Sequence, residues 1–441
     1  MPIDRTQLAA CLAVLERLDD PDLDEASRLE LERAVTAAAR TVKRRAKARR
    51  AAQTRAADRA VLAAATRFHT EIPPAAPGPA PAAGPGTLRR DRFCYVCKAR
   101  YRRVDADYHM LCPPCADENR ARRHARCDLS GRTAVVTGGR VKIGFHTALK
   151  LLRDGAEVLV TTRFPRDAAR RYAAVPDFGD WAHRLSVHGL DLLDLRATLD
   201  FVATAGRRWA GLDILVNNAA QTLYRPAAYH REVRAAEAAA LAGPAARVAI
   251  TAGGPALPST AGDPLFPAGQ HDETGHQLDL REVNSWVLHD AEVSPHEWLQ
   301  VHVVNAFAPF LLTSRLRPLL AASRHPQRHV VQVSAMEGSF SRRGKTVRHP
   351  HTNMAKASLN MLVRTVAPDY ARDGIHMNSV DTGWVTDERP HPGKSAQRAA
   401  GFRPPLDVVD GAARVYDPIV RGLGGEPVSG QFLKDYRSVP W

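Results

Sequence analysis

The chain contains no long hydrophobic run. Nowhere does it approach the roughly 18 consecutive apolar residues that a membrane-crossing helix needs, and its MPIDRTQL start lacks a basic segment followed by an apolar core. This excludes a membrane helix and a signal peptide from the reading and makes a cytoplasmic protein the expectation. Cysteine is sparse, six in 441 residues, and four of the six form two CxxC pairs, which argues for metal rather than a disulfide framework. Acid is missing from one stretch: Arg40 to Arg55 holds eight Lys or Arg and no Asp or Glu, so the +15 net charge is unevenly spread. Such a run reads as a solvated helix face, with nucleic-acid binding as the alternative. The remaining composition, 44% hydrophobic and 25% charged, is that of a globular protein with at least one large core.

Taken in order, residues 6–19 place Leu8, Cys11, Leu12, Leu15 and Leu18 on one helical face, ended by Asp20-Pro21. A longer helix, free of Gly and Pro, is expected from about Asp24 into the mid-60s. The two form an α-helical arm over residues 1–70, read as a hairpin or short coiled coil. PPAAPGPAPAAGPG (73–86) defines a Pro/Ala/Gly linker, placed at 71–90. Within 91–126, Cys94 and Cys97 are followed after a short gap by Cys112 and Cys115. Four thiolates can close tetrahedrally around Zn²⁺ and leave no position for water, the arrangement of a structural site in a zinc-ribbon-like module. His109 is then a bystander.

From about residue 127 strands and helices alternate, the rhythm of an α/β domain whose parallel sheet is covered on both faces. TAVVTGGRVKIG (133–144) is a β-branched run, a glycine turn and a helix start, the geometry that aims backbone N–H groups at a phosphate. The next strand ends at Arg163 where an acid would hold ribose hydroxyls. With Arg140 and Lys142, three cations are expected to converge on a 2′-phosphate, favouring NADP over NAD. Strands follow in RLSVHGLDL, LDILVNNAAQ, HVVQVSA, GIHMNSVDTGW and SGQFLKDY, about seven in all. An Ala/Gly/Pro-rich insertion at about 223–280, part helix (HREVRAAEAAALA) and part irregular, interrupts the rhythm.

Over roughly the last 310 residues these features resemble the short-chain dehydrogenase/reductase superfamily. TGGRVKIG, with Thr137, Gly138, Gly139, Arg140, Lys142, Ile143 and Gly144, stands where the family has TGxxxGxG. Asp191 matches the acid that meets adenine, and NNAA, with Asn217 and Ala219, matches NNAG. Asn305 matches the helix asparagine, Ser334 the serine closing the fifth strand, and Lys356 the lysine of YxxxK. VDTGWVT, with Gly383 and Thr386, stands where PGxxxT follows the sixth strand. The resemblance implies a Rossmann-type doubly wound sheet, a nicotinamide cofactor, a homo-oligomer and hydride transfer between cofactor and a small carbonyl or alcohol. Ser334 would hold the substrate oxygen, Lys356 the ribose, and Asn305 a relay water.

The departures define a divergent subgroup with TGGRxKIG and HTNMAK signatures. Thr352 stands where the family has its tyrosine, and Lys142 replaces the middle glycine of the turn. A threonine hydroxyl is a poor general acid, so His349, His351 and Glu337 are alternative proton donors, the histidines being otherwise exposed loop residues. The specificity loop is expected at 384–405, with the insertion above it. Two functions follow: an NADP-dependent oxidoreductase with rerouted proton transfer, or a catalytically silent NADP-binding scaffold whose zinc module and basic helix contact a partner or nucleic acid.

Overall fold

A computed structural model describes residues 4–69, 84–255, 261–272 and 274–441. Helix α1 spans Arg5–Glu16 and α2 spans Glu25–Ala63. No residue of α1 is buried, and Leu8, Leu12 and Leu15 are exposed, so its apolar face has no partner in the monomer. The linker expected over 71–90 lies outside the described residues as far as residue 83. Its last residues are not linker: strand β1 begins at Gly86 and runs to Phe93, pairing antiparallel with β2 (Arg100–Val104). The Asp58 carboxylate of α2 accepts the Arg89 backbone N–H at 2.6 Å, which holds this hairpin against the end of the long helix.

The main sheet has nine strands: β3 (Thr133–Thr137), β4 (Glu157–Thr162), β5 (Leu185–Gly189), β6 (Ile214–Asn217), β7 (Ala249–Ala252), β8 (Arg328–Ser334), β9 (Ile375–Asp381), β10 (Phe432–Lys434) and β11 (Arg437–Val439). Their order is β11-β10-β9-β8-β6-β3-β4-β5-β7, parallel except for the terminal β10–β11 hairpin. Two strands exceed the expected seven. One is β11; the other, β7, comes from the insertion, which extends the sheet beyond β5 rather than being only helical and irregular. The insertion's helix, Arg231–Ala238, is shorter than its Ala-rich sequence and lies where Arg166 and Arg170 donate to carbonyls at its C-terminal end.

Alternation along the central strands builds the two faces. Ala134, Val136, Val158 and Val160 enter one core with Leu149, Leu152, Val415 and Ile419. Val135, Leu159 and Leu215 enter the other with Phe201, Leu312, Leu316 and Val363. Strands buried on both sides need apolar residues at every position, which is why the sequence shows runs there and no alternation.

A third apolar cluster joins Leu88, Cys94, Tyr108, Leu111, Cys112 and Cys115 to Val385 and Leu406 of the dehydrogenase-like part. Around it lies a buried polar network. Arg123, on the Pro113–His124 helix, pairs with Asp407 at 2.7 Å and Asp410 at 2.8 Å, and the Tyr108 hydroxyl donates to Asp410 at 2.7 Å. Arg414, also buried, donates to Asn119 and Asp435, each at 2.8 Å. Charges removed from water in this way hold only while partnered. Arg123→Ala should therefore cost about 3–5 kcal/mol, read as a lower denaturation midpoint; a loss under about 1 kcal/mol would show that the network is solvated.

Candidate active site and metal centre

Strand β3 delivers the glycine turn to the carboxyl edge of the sheet, between β4 and β6. The Thr137 hydroxyl oxygen accepts the Asn218 and Ala219 backbone N–H groups at 3.0 Å each, and Asn218 Nδ2 donates to the carbonyls of Thr137 and Gly138. Gly138 has φ +67°, and a Cβ on Gly144 would overlap the Gly138 carbonyl and the Asn218 amide. The Lys142–Arg153 helix starts at Val141 with no side chain capping it, so its first N–H groups are available to an anion. These features fit a pyrophosphate. Tyr172 donates to the Gly139 carbonyl at 2.6 Å, and Ile143 turns inward onto both the sheet core and the cysteine cluster.

Of the three expected cations, the structure brings together two. Arg140 and Arg163 lie over the same Phe164 ring, at 5.2 and 5.6 Å. Arg140 also pairs with Asp167 at 2.7 Å, whereas Arg163 faces the His230 imidazole at 3.3 Å. Burial and the adjacent Arg163 push His230 down to about 3, so its ring is neutral and leaves the Arg163 charge uncompensated at that contact. Lys142 departs from the pair. Its backbone adopts φ +52°, where the family has glycine, and its ammonium lies 3.3 Å from Glu388. The same Glu388 oxygen accepts the Thr386 hydroxyl at 2.7 Å. Burial alone would raise the Glu388 carboxyl, but Lys142 and Thr386 outweigh it and hold it down to about 2. A cavity of about 200 Å³ opens here, lined among others by Lys142, Leu223, Arg225, Asn284, Thr386 and Lys394. The glycine turn, the insertion and the 386–398 segment thus share one space.

Asp191 ends β5's loop and accepts the Leu193 N–H at 3.0 Å. After β7 the insertion turns back over the sheet edge, with the Gly253 backbone against Gly189 and Gly254 against the Arg163 carbonyl. It therefore walls the side of the site formed by β4 and β5. Asn217 points the other way: its amide is buried and donates to Thr313 and Gln332. Asn218, which the sequence reading passed over, is the residue that reaches the turn.

At the other half of the edge, Ser334 closes β8 and donates to the Lys356 carbonyl at 3.4 Å. Lys356 and Thr352 lie one turn apart on the Pro350–Arg372 helix, both buried. The Lys356 ammonium donates to the Val333 carbonyl at 2.7 Å, and burial lowers its pKa to about 8. The Thr352 hydroxyl has no hydrogen-bond partner among the described residues. Asn305 sits in a π-helical turn, Val303–Phe307, where its Oδ1 accepts the Gln221 N–H at 2.6 Å and its Nδ2 donates to the Gln221 carbonyl at 3.0 Å. Both polar ends of the side chain engage Gln221, so Asn305 clamps the chain just past NNAA.

The alternative acids fare unequally. His349 and His351 are buried, not exposed loop residues. His349 has φ +42° and stacks on Trp286 at 4.2 Å, and burial lowers its pKa. His351 Nε2 lies 3.2 Å from Glu297, a partner invisible in the sequence because 54 residues separate them. Glu337 is engaged by Arg342.

In the N-terminal module the sulfur atoms of Cys94, Cys97, Cys112 and Cys115 all lie within 4.8 Å of one another. Cys97 and Cys112 are 3.6 Å apart, close to the roughly 3.8 Å that two Zn–S bonds of about 2.3 Å subtend at a tetrahedral centre. The cluster fits a structural zinc. His109 is turned away, with Nε2 3.4 Å from the Arg403 carbonyl.

Comparison with known proteins follows this geometry. The family described as short chain dehydrogenase matches residues 132–240, and that described as enoyl-(acyl carrier protein) reductase matches 286–400, leaving much of the insertion between them. An uncharacterized protein of Acanthamoeba polyphaga mimivirus is 33% identical over 339 residues, covering 74% of this chain and 71% of that protein. A probable oxidoreductase of Streptomyces lividans is 44% identical over 93 residues, 21% of this chain and 29% of its own length. Carbonyl reductase [NADPH] 1 of Sus scrofa is 41% identical over 92 residues, 20% of this chain and 30% of its own. The chain thus spans less than a third of these two oxidoreductases. Among solved structures, a short-chain dehydrogenase of Streptomyces avermitilis superposes with TM-score 0.43 at 18% identity, over 66% of this chain and 84% of that one. With its glycine turn, its parallel sheet and matches on both sides of the insertion, the chain belongs to the short-chain dehydrogenase family.

Proposed function

We propose that the protein is an NADP-dependent oxidoreductase that moves hydride between the nicotinamide and a small carbonyl or alcohol. The observation that carries this reading is Ser334 and Lys356 meeting at the end of β8, on the same sheet edge as an uncapped glycine turn. The residues of the turn, from Thr137 to Gly144, would hold the pyrophosphate, with Ala219 backing Gly138 and Thr386 and Gly383 closing the nicotinamide side. Arg140 and Arg163 would take the 2′-phosphate, and Asp191 the adenine. The cofactor supplies a hydride donor or acceptor. Ser334 binds the substrate oxygen. Lys356, whose burial brings its pKa down to about 8, is the acid in the reductive direction, and the Thr352 hydroxyl one helical turn away holds the same substrate oxygen. The resulting neutral amine regains its proton from solvent.

The four cysteines hold a structural zinc ion as thiolates, and a metal site in place of disulfides suits the cytoplasm. No helix among the described residues is long and apolar enough to cross a membrane. Self-association is supported by exposed Phe307, Phe310, Met354 and Met361 on two neighbouring helices. A second reading, a silent NADP-binding scaffold, draws on the solvent-exposed α1 and on Thr352, which has no ionisable group.

NADPH should bind well below the NADH dissociation constant in a nicotinamide-fluorescence titration, and Arg163→Ala should weaken NADPH by roughly tenfold or more without touching NADH. Equal affinities would remove the 2′-phosphate assignment.

Turnover over a carbonyl panel should fall about 10²-fold in Ser334→Ala, and reduction should decline as pH rises through about 8, where Lys356 loses its proton. The stability sign is opposite. Because the folded-state pKa lies below the ordinary 10.5, the folded chain binds fewer protons between these values, and stability rises with pH across that window. Lys356→Met should therefore raise the melting temperature at pH 7 and progressively less above pH 8, while abolishing turnover. Unchanged turnover in Ser334→Ala and Lys356→Met would overturn this active site, and a wild type without turnover over the panel would favour the scaffold.

Light scattering should show a dimer or tetramer that Phe310→Glu dissociates; a monomeric wild type would contradict the oligomer.

A further inference from the structure

The zinc module meets the cofactor side of the dehydrogenase part at the loop that follows β9. Between Cys94 and Cys97 stands Tyr95, whose hydroxyl oxygen accepts the Trp384 backbone N–H at 2.9 Å. Gly383, with φ +77°, passes close by: a Cβ there would lie 3.6 Å from that hydroxyl and 2.6 Å from Leu406. Val385, the next residue but one, is buried in the same cluster as Cys94, Cys112 and Cys115, and Ile143 of the glycine-turn helix packs against that cluster too. The loop is anchored at its start by Asp381, which accepts the Met336 N–H at 2.7 Å and the Lys434 ammonium at 3.2 Å. Lys434 in turn sits 5.6 Å from the Tyr95 ring. At its far end Thr386 joins Glu388 and Lys142. A continuous path of contacts therefore runs from the first cysteine knuckle to the glycine turn.

We infer that the four-cysteine centre sets the position of the 383–386 loop through Tyr95, so that affinity for the nicotinamide half of the cofactor depends on the bound metal. Tyr95 is a positioning residue. It is held between two metal ligands, and its backbone N–H donates to the Met110 carbonyl, just ahead of the second knuckle. The knuckle includes Lys98 at φ +62°, a conformation that costs energy in any residue but glycine and needs surrounding restraint. An ion bridging four thiolates supplies that restraint. Without it the Tyr95 oxygen leaves Trp384, and the middle of the loop loses its hydrogen bond to the module while the Asp381, Val385 and Thr386 anchors remain. This rests on the zinc and NADP assignments made above.

The test uses the full chain, with zinc content measured by mass spectrometry, and two probes: NADPH, and adenosine 2′,5′-bisphosphate, which reaches only the β4–β5 half of the site. Tyr95→Phe should retain one zinc per chain, raise the NADPH dissociation constant and KM tenfold or more with kcat at saturation unchanged, and leave adenosine bisphosphate binding unaltered. Hydrogen exchange over 382–388 should quicken while the melting temperature holds. Chelation of the zinc should reproduce the NADPH loss in the wild type. Unchanged NADPH affinity in both, or equal weakening of both probes, overturns the inference. A wild type that binds neither probe overturns the NADP assignment on which it rests, and a wild type purified without metal overturns the metal's role.

Discussion

The sheet edge depends on the close approach of Gly138, Gly144 and Asn218. A strand, a helix start and the NNAA segment meet with no room for a side chain, and the Thr137 hydroxyl ties the strand to the segment through two backbone N–H groups. Everything else at the sheet edge takes its place from this pinning. It fixes where the Lys142–Arg153 helix points, and hence where an anion is stabilised. It places Gln221 where Asn305 can clamp it from a π-helical turn. The family usually spares a third glycine here; this chain instead holds Lys142 in a left-handed conformation and sets its ammonium against Glu388. A pyrophosphate bound on the turn would have to displace that carboxylate from Lys142.

A second constraint is the burial of charge between the four-cysteine module and the rest. Arg123 and Arg414 reach carboxylates and an amide across the junction, and each such contact is directional. Apolar area alone would let the module slide; buried ion pairs with defined donors do not. The module therefore behaves as one wall of the domain rather than an appendage, which is what gives Tyr95 a fixed place beside Trp384.

How much of this the sequence discloses follows the range of the interactions. Central strands are legible because burial on both faces demands unbroken apolar runs, as in TAVVT and HVVQVS. The glycine turn and the CxxC pairs are legible because steric and coordination demands act over a few residues. Strand β7 is not: its four residues lie at an edge, half exposed, inside an Ala-rich stretch whose composition argues for helix. The contacts that adapt the site are equally hidden. Glu297 with His351, Lys142 with Glu388 and Tyr95 with Trp384 join residues 54, 246 and 289 positions apart, and only the assembled sheet brings them together. The different places of the two asparagines have a local cause: the pleat turns Asn217 toward Thr313 and Gln332 and leaves Asn218 to bond the glycine turn.

The central claim is that the glycine turn is a nicotinamide-dinucleotide site from which Glu388 must withdraw. The most direct test is a crystal structure of the chain grown with NADPH. The account predicts pyrophosphate density over Gly138 to Lys142, the 2′-phosphate between Arg140 and Arg163, and Glu388 displaced from Lys142. NADPH-saturated crystals in which Glu388 still sits on Lys142 and the turn carries no phosphate would contradict it.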